Sequence, residues 1–204
     1  MRITGGTFAS RALRAPRGQA TRPTSDRVRE ALFGILSSAG AIAGARVLDL
    51  YAGTGALSLE ALSRGAARAV VVESSRPALE AIRANVAALG LNERVRIVAS
   101  DVRVAVARVA RDGPFDLLFL DPPWALVDSG EALDVVRALA AAGAVADAGT
   151  VVLEHAARSA DTVPPDLNGL TREQTRRYGD TALAFYKPAI LGPPRPERAG
   201  NTSE

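Results

Sequence analysis

Arg46-Val47-Leu48-Asp49-Leu50-Tyr51-Ala52-Gly53-Thr54-Gly55 decides the fold of this chain, because a short apolar run ends in an acidic residue and then in a glycine-rich turn. Val47, Leu48 and Leu50 are what a strand buried on both faces shows, and Ala56 to Arg64, with Leu57, Ala61 and Leu62 on one side, reads as the helix that follows. Two glycines one residue apart let a ligand approach the backbone, since no Cβ intervenes and positive φ costs little. A strand, a turn and a helix in that order open a crevice at the carboxyl end of a parallel sheet, where nucleotide-like cofactors bind. Asp49 decides the kind of cofactor. The helix N-terminus would suit a pyrophosphate, but an acid beside it repels one, and Ala56, Leu57 and Ser58 follow Gly55 where a dinucleotide fingerprint needs a third glycine. A cationic cofactor fits better.

The 204 residues suit one domain with additions, and 48% hydrophobic content makes it globular. Without cysteine there is no disulfide, thiolate chemistry or Cys-ligated zinc, and a single His makes a His-rich metal site equally poor, so no metal is expected. No signal-like opening and no uncharged stretch approaching the ~20 residues of a membrane span is present, which predicts a cytoplasmic protein without membrane contact. The formal charge of +3 hides an asymmetry. Residues 1–29 hold Arg2, Arg11, Arg14, Arg17, Arg22, Arg27 and Arg29 against Asp26, a local +6 that leaves −3 for the rest.

Residues 1–20 read as a small hairpin with a basic face, carrying Ile3, Phe8 and Leu13 as sparse apolar positions. Arg22-Pro23-Thr24-Ser25-Asp26 is a turn and cap cluster, and Val28, Leu32, Ile35 and Leu36 recur at helical spacing to Ser38, with Arg27 and Arg29 expected to point away from the packed face. Arg forks bind phosphate oxygens bidentately, so Arg2, Arg11, Arg22, Arg27 and Arg29, with Thr24, form a candidate RNA-binding set.

Beyond the turn, Ala69 to Glu73 is a second strand ending in an acid, 24 positions after Asp49. A carboxylate there can accept from both ribose hydroxyls of a nucleoside, which assigns Glu73 to the cofactor. Pro77 to Leu89 reads as a helix, Val95 to Ala99 as a third strand, and Asp101 either as a cofactor contact or as the cap of a helix over Val102 to Arg111. Phe115 to Leu120 is the fourth strand and runs into Asp121-Pro122-Pro123-Trp124. Two prolines cannot donate to a ladder, so the strand stops there and leaves carbonyls facing the crevice. Asp121 adds an acceptor-only carboxylate, and Trp124 a ring on which a base can stack for about 1–3 kcal/mol. Such a group can grip an exocyclic NH2 and stabilise the positive charge that develops on it. Glu131 to Ala142 is a helix and Thr150 to Glu154 a fifth strand; His155 is expected to be solvated or structural, with no catalytic part. Thr171 to Arg177 and Ala182 to Tyr186 close an antiparallel hairpin, and residues 188–204 read as a loose tail.

Asp49-Leu50-Tyr51-Ala52-Gly53-Thr54-Gly55 resembles D-x-x-A-G-x-G, the first motif of the class I S-adenosylmethionine (SAM) methyltransferases, at every defined position. With the opening R-I-T-G-G and Arg22 to Phe33, R-P-T-S-D-R-V-R-E-A-L-F, the chain from Arg2 to about Tyr186 resembles the bacterial 16S ribosomal RNA guanine-N2 methyltransferases. The resemblance implies a Rossmann-like α/β fold of seven strands: a basic extension over 1–38, a catalytic domain over 39–187 and a tail over 188–204. It implies SAM as cofactor, bound by Asp49, Tyr51, Ala52, Gly53, Thr54, Gly55, Glu73, Ser74, Asp101 and Val102, with Asp101 on the adenine amino group. It implies Asp121, Pro122, Pro123 and Trp124 as the catalytic group, Trp124 standing where close relatives more often have Phe or Tyr. A monomer acting on 16S rRNA in the 30S subunit or a late assembly intermediate is the expected form. Three rivals make different demands. An adenine-N6 DNA enzyme would share Asp121 to Trp124 but need a recognition domain, a dinucleotide oxidoreductase would need the missing glycine, and a non-catalytic RNA-binding protein would have no use for the acids.

Overall fold

The computed structural model describes residues 1–16 and 26–189. Arg17, Arg22 and Thr24 therefore lie outside the described residues, as does the expected tail beyond Ala189. The apolar runs became strands β1 (Arg46–Leu50), β2 (Arg68–Glu73), β3 (Val95–Ala99), β4 (Phe115–Leu120) and β5 (Val145–Ala156), which pair in parallel with one another. β6 (Asp166–Leu167), β7 (Leu170–Tyr178) and β8 (Thr181–Pro188) complete one mixed sheet in the order β3-β2-β1-β4-β5-β8-β7-β6. The order reverses between β1 and β4, so the crevice at a topological switch point lies between the carboxyl ends of these two strands.

Alternation along β1 explains the two cores. Leu48 and Leu50 join Val72, Leu118 and Leu120 beneath α4 (Val102–Val109) and α6 (Glu131–Ala141), whereas Val47 joins Val71, Leu117 and Phe119 on the opposite face. That second face is covered by α1 (Asp26–Ser38), α2 (Ala56–Ser63) and α3 (Arg76–Ala88). Strands buried on both faces read as continuous apolar runs, which is why β1, β2 and β4 were plain in the sequence.

The seven expected strands are accompanied by an eighth, β6, whose two residues are too few for any periodicity. β5 and β8 run longer than their apolar centres. Pro188, assigned to the tail, pairs with Leu170 at the end of β8, because β7 begins there and extends the ladder. His155 is fully buried rather than solvated: its Nδ1 lies 2.8 Å from the Ala156 carbonyl oxygen, and desolvation holds its pKa below the usual imidazole value. A short α5 (Trp124–Asp128) follows β4 directly. The amino-terminal segment closes by an Arg2–Ala12 antiparallel bridge, with Ile3 N–H donating to Arg11 O at 3.0 Å. Ile3 and Leu13 are buried in the same core as Leu32, Phe33 and Val47.

Candidate active site

Three carboxylates converge where β1, β2 and β4 end. Asp49 is 1% exposed and its Oδ2 accepts from the Ser58 amide at 3.1 Å and the Ser58 hydroxyl at 2.6 Å, while its Oδ1 is buried with no partner among the described residues. Burial first, and then the negative charges of Asp121 and Glu73, push this carboxyl up to about 7 against the two Ser58 hydrogen bonds. An orphaned buried oxygen among like charges favours a cation. Ser58 escaped the sequence reading; a hydroxyl one turn into the helix, nine positions after the acid, was its only signal.

Glu73 ties two loops together. Its Oε2 accepts from Gly53 N–H at 2.8 Å, and its Oε1 accepts from Ser74 and Ser75 N–H at 2.8 Å each. A carboxylate has about four lone-pair sites, so capacity for a sugar hydroxyl remains. Gly53 and Gly55 hold φ of +55° and +75°, and Tyr51 holds +61°, so the turn is a left-handed bend that the glycines make cheap. A Cβ added at Gly53 would meet nothing within 4 Å, so the turn borders open space. The Ala52 amide donates to Val72 O at 3.2 Å and the Gly55 amide to Ala52 O at 2.7 Å. With Gly53 N–H on Glu73, three amides of the turn are committed within the protein and do not wait for a diphosphate.

Asp101, at the end of β3, is exposed and caps α4 by accepting from Arg103 N–H at 2.9 Å. Arg103 pairs with it at 3.2 Å and with Glu131 at 3.0 Å, and the Arg103 hydrogen bond holds the Asp101 carboxyl below its usual range. The cap, one of the two roles open for this residue, is therefore realised. The Val102 side chain is buried in the core, which leaves only its backbone at the start of α4 for a cofactor. Tyr51 is half-buried nearby; burial, then the Asp101 charge, pushes its phenol up to about 12, so it remains a neutral donor. Ser74 is exposed and Ala52 half-buried.

Asp121 is half-buried at the end of β4, close enough to Asp49 for the two charges to interact. Pro122 is buried, Pro123 exposed, and Trp124 half-buried as the first residue of α5. The guanidinium carbon of Arg158 lies 5.7 Å from the centre of the Trp124 ring and its Nη2 3.5 Å from Asp128. Arg158 was not anticipated, because the segment after β5 that carries it meets α5 only in the folded chain.

Among the candidate RNA contacts, Arg2, Arg11 and Arg27 are exposed. Arg29 is not. It is fully buried, 2.9 Å from Asp26 and 3.5 Å from Glu60, and its Nη2 donates to the Arg2 carbonyl. The expectation that Arg29 faces RNA is corrected: α1 lies against α2, and the acid at 60 draws the guanidinium inward. Glu60, itself fully buried, also accepts from Thr4 N–H at 2.7 Å, Thr4 Oγ1 at 2.8 Å and Arg64 Nε at 2.8 Å. Among the described residues no helix is long and apolar enough to cross a membrane, and no three His, Asp or Glu are grouped to hold a metal ion.

A profile of the family described as "Conserved hypothetical protein 95" matches residues 1–187. The chain belongs to that family. Its relatives include the "Ribosomal RNA small subunit methyltransferase D" of Escherichia coli K12, 35% identical over 193 residues, with 94% of this chain and 92% of that protein covered. The solved structure of a hypothetical protein from Thermus, TTHA0928, superposes with a TM-score of 0.77 at 32% identity, covering 92% of this chain and 99% of that one. The solved yhhF structure of Escherichia coli gives 0.76 at 31% identity, covering 93% and 98%. The chain thus shares the α/β methyltransferase fold with these structures over nearly their whole length, and methyltransferases of this kind use SAM in general.

Proposed function

We propose that the chain is a SAM-dependent methyltransferase that modifies the exocyclic N2 amine of a guanine in 16S rRNA, within the 30S subunit or a late assembly intermediate. The observation that carries the reading is the orphaned Oδ1 of Asp49, buried beside Glu73 and Asp121 at the switch point of the sheet. A diphosphate would meet three carboxylates and a turn whose amides are already bonded, whereas a cation finds an unpaired acceptor. Asp49 holds the ammonium end of the donor, the Gly53–Gly55 turn lies against it, Glu73 takes sugar hydroxyls, and Tyr51, Ser74, Asp101 and the Val102 backbone border the base.

When bound, SAM supplies a methyl group already activated on a sulfonium, so the protein's share is alignment and electrostatics. Asp121 and the carbonyls around Pro122 and Pro123 accept hydrogen bonds and, lacking N–H groups at both prolines, offer no donor in return. An acceptor-only wall selects an amine, turns its nitrogen toward the donor and stabilises the positive charge that grows there. Trp124 carries the flat face of the base, which must be unpaired for its amine to be reached. The likeness to an rRNA small-subunit enzyme and the motif Asp121 to Trp124 support this substrate. Arg2, Arg11 and Arg27 contact phosphates, in company with Arg22 and Thr24 from beyond the described residues.

Labelled SAM incubated with 30S subunits from a methylation-deficient strain tests the reading. Incorporation mapping to one guanine N2 is expected; transfer to adenine, to protein or to nothing overturns it. Replacing Arg2, Arg11 and Arg27 together by Ala is expected to lower the slope of log affinity against log salt by about 2, at roughly 0.7 per single-strand phosphate.

A further inference from the structure

One buried side chain joins the basic arm to the glycine turn. Asn85, on α3 and 2% exposed, uses its whole amide. Its Oδ1 accepts from Arg14 N–H at 2.8 Å, and its Nδ2 donates to the Arg14 carbonyl at 3.1 Å and to the Thr54 carbonyl at 3.1 Å. The bonds to Arg14 are to the backbone, so the Arg14 guanidinium stays exposed, as those of Arg2 and Arg11 do. Thr54, itself buried, sits between the two positive-φ glycines of the cofactor turn.

Two further links run the same way. The Thr54 hydroxyl donates to Met1 Sδ at 3.3 Å, which fixes the first residue of the arm to the same turn. On α2, the helix that opens at Gly55, Ser63 donates to Gly5 O at 2.6 Å and accepts from Phe8 N–H at 2.9 Å, while Glu60 holds Thr4. A Cβ at Gly6 would fall 2.0 Å from the Ser63 carbonyl oxygen, so arm and helix touch backbone to backbone. The arm is thus seated on the elements that shape the cofactor crevice.

We propose that Asn85 is a positioning residue that makes the basic arm and the Gly53–Gly55 turn one mechanical unit, so that RNA on the arm and the methyl donor on the turn raise each other's affinity. The inference rests on the RNA and SAM sites of the preceding section. Both ligands bear on elements joined through Asn85, so whichever binds first restrains the bracket that the second also engages, leaving less to be restrained at the second step. Coupling of this kind is reciprocal.

The test measures binding of a short fluorescent single-stranded oligoribonucleotide of mixed sequence, with and without saturating S-adenosylhomocysteine, and the converse titration. Wild-type protein is expected to bind each ligand roughly fivefold or more tightly when the other is present. In Asn85→Ala each ligand still binds alone and the factor falls to about one, a change that simple loss of stability does not produce. Arg14→Ala weakens RNA binding but keeps the factor, since the bracket uses backbone atoms. Arg14→Pro removes the bonded N–H and loses the factor, and it decides the matter should Asn85→Ala fail to fold. An equal factor in wild type and either bracket variant, or a factor of one in wild type, overturns the proposal. Failure of either ligand to bind wild-type protein alone is a distinct result, which overturns the underlying site assignment and this inference with it.

Discussion

The two ends of the same parallel strands carry opposite charge, and they differ in what that charge has left to do. At the amino ends of β1 to β4 a cleft of about 470 Å³ is lined by Arg46, Arg68, Arg94, Arg96 and Arg111. Arg46 donates to the Asp112 carbonyl and lies 5.8 Å from the centre of the Phe115 ring; Arg94 donates to the Ala66 and Ala67 carbonyls, and Arg96 pairs with Asp112. Arg46, Arg94 and Arg96 thus stitch loops, with the buried Nε of Arg46 left over. At the carboxyl ends the acids hold their own turn together through Ser58 and Glu73, yet a buried oxygen of Asp49 stays unpaired and the turn that follows it borders open space at Gly53. A cluster of like charges is therefore a poor guide to function by itself. What separates the two ends is place and sign: the orphaned atom at the carboxyl ends is an acceptor among acids at the switch point of the sheet, whereas the one at the amino ends is a donor among cations whose neighbours already hold loop carbonyls.

The largest effect that would sharpen this contrast is expected at Asp121. Asp121→Ala should cost about 10²- to 10³-fold in kcat, the usual loss when one preorganised electrostatic contact is removed, with Tm nearly unchanged. Single-turnover methylation and a thermal melt measure the two quantities.

Asp49→Asn should separate stability from binding. In the wild type the folded-state pKa is raised to about 7 from 3.8, so the folded protein retains a proton that the unfolded chain has lost, and stability falls as pH rises between these values. Asp49→Asn removes that fall, and it should be as stable or more stable at pH 8. Donor affinity should move the other way: it rises with pH up to about 7 in the wild type, as the carboxyl becomes free to face a cation, and is flat and about tenfold weaker in the variant, a loss of about 1.4 kcal/mol. Denaturation and calorimetry across pH 4 to 8 decide it.

At the opposite end Arg94→Ala should lower stability by about 1–2 kcal/mol, from its bonds to two loop carbonyls, and leave kcat and KM untouched. A change in catalysis there would break the division between the ends. The smallest effect is expected at Arg158. Its cation–π contact with Trp124 is worth about 0.5–1 kcal/mol, so Arg158→Ala should shift KM for RNA by about two- to fivefold with SAM affinity unchanged.

How much of this was legible in the sequence follows from how local each signal is. The strand, turn and helix from Arg46 to Ser63 are contiguous, so apolar periodicity and two glycines sufficed. That Glu73, Asp101 and Asp121 lie at one edge could be read in advance because each follows an apolar run, and a parallel sheet brings such ends together. Arg29 was misplaced because its helical phase names a face but not the acid waiting there, Glu60, 31 positions along. Asn85 was invisible for the same reason: an Asn inside a helix looks solvated until the backbone it brackets, 71 residues earlier, folds against it. Arg158 depends on a contact between β5's trailing segment and α5. Long-range polar pairs leave no period in the chain.

The proline pair after β4 has an outcome for what happens once methylation is complete. On the proposed reading, a pocket edge made of oxygens alone engages both hydrogens of a primary amine. The monomethylated nucleotide retains a single N–H and has gained a carbon at the position of the other, so one oxygen loses its mate and meets a methyl instead. The same feature that captures the unmodified base thereby expels the finished one, and it guards the nitrogen against a second round.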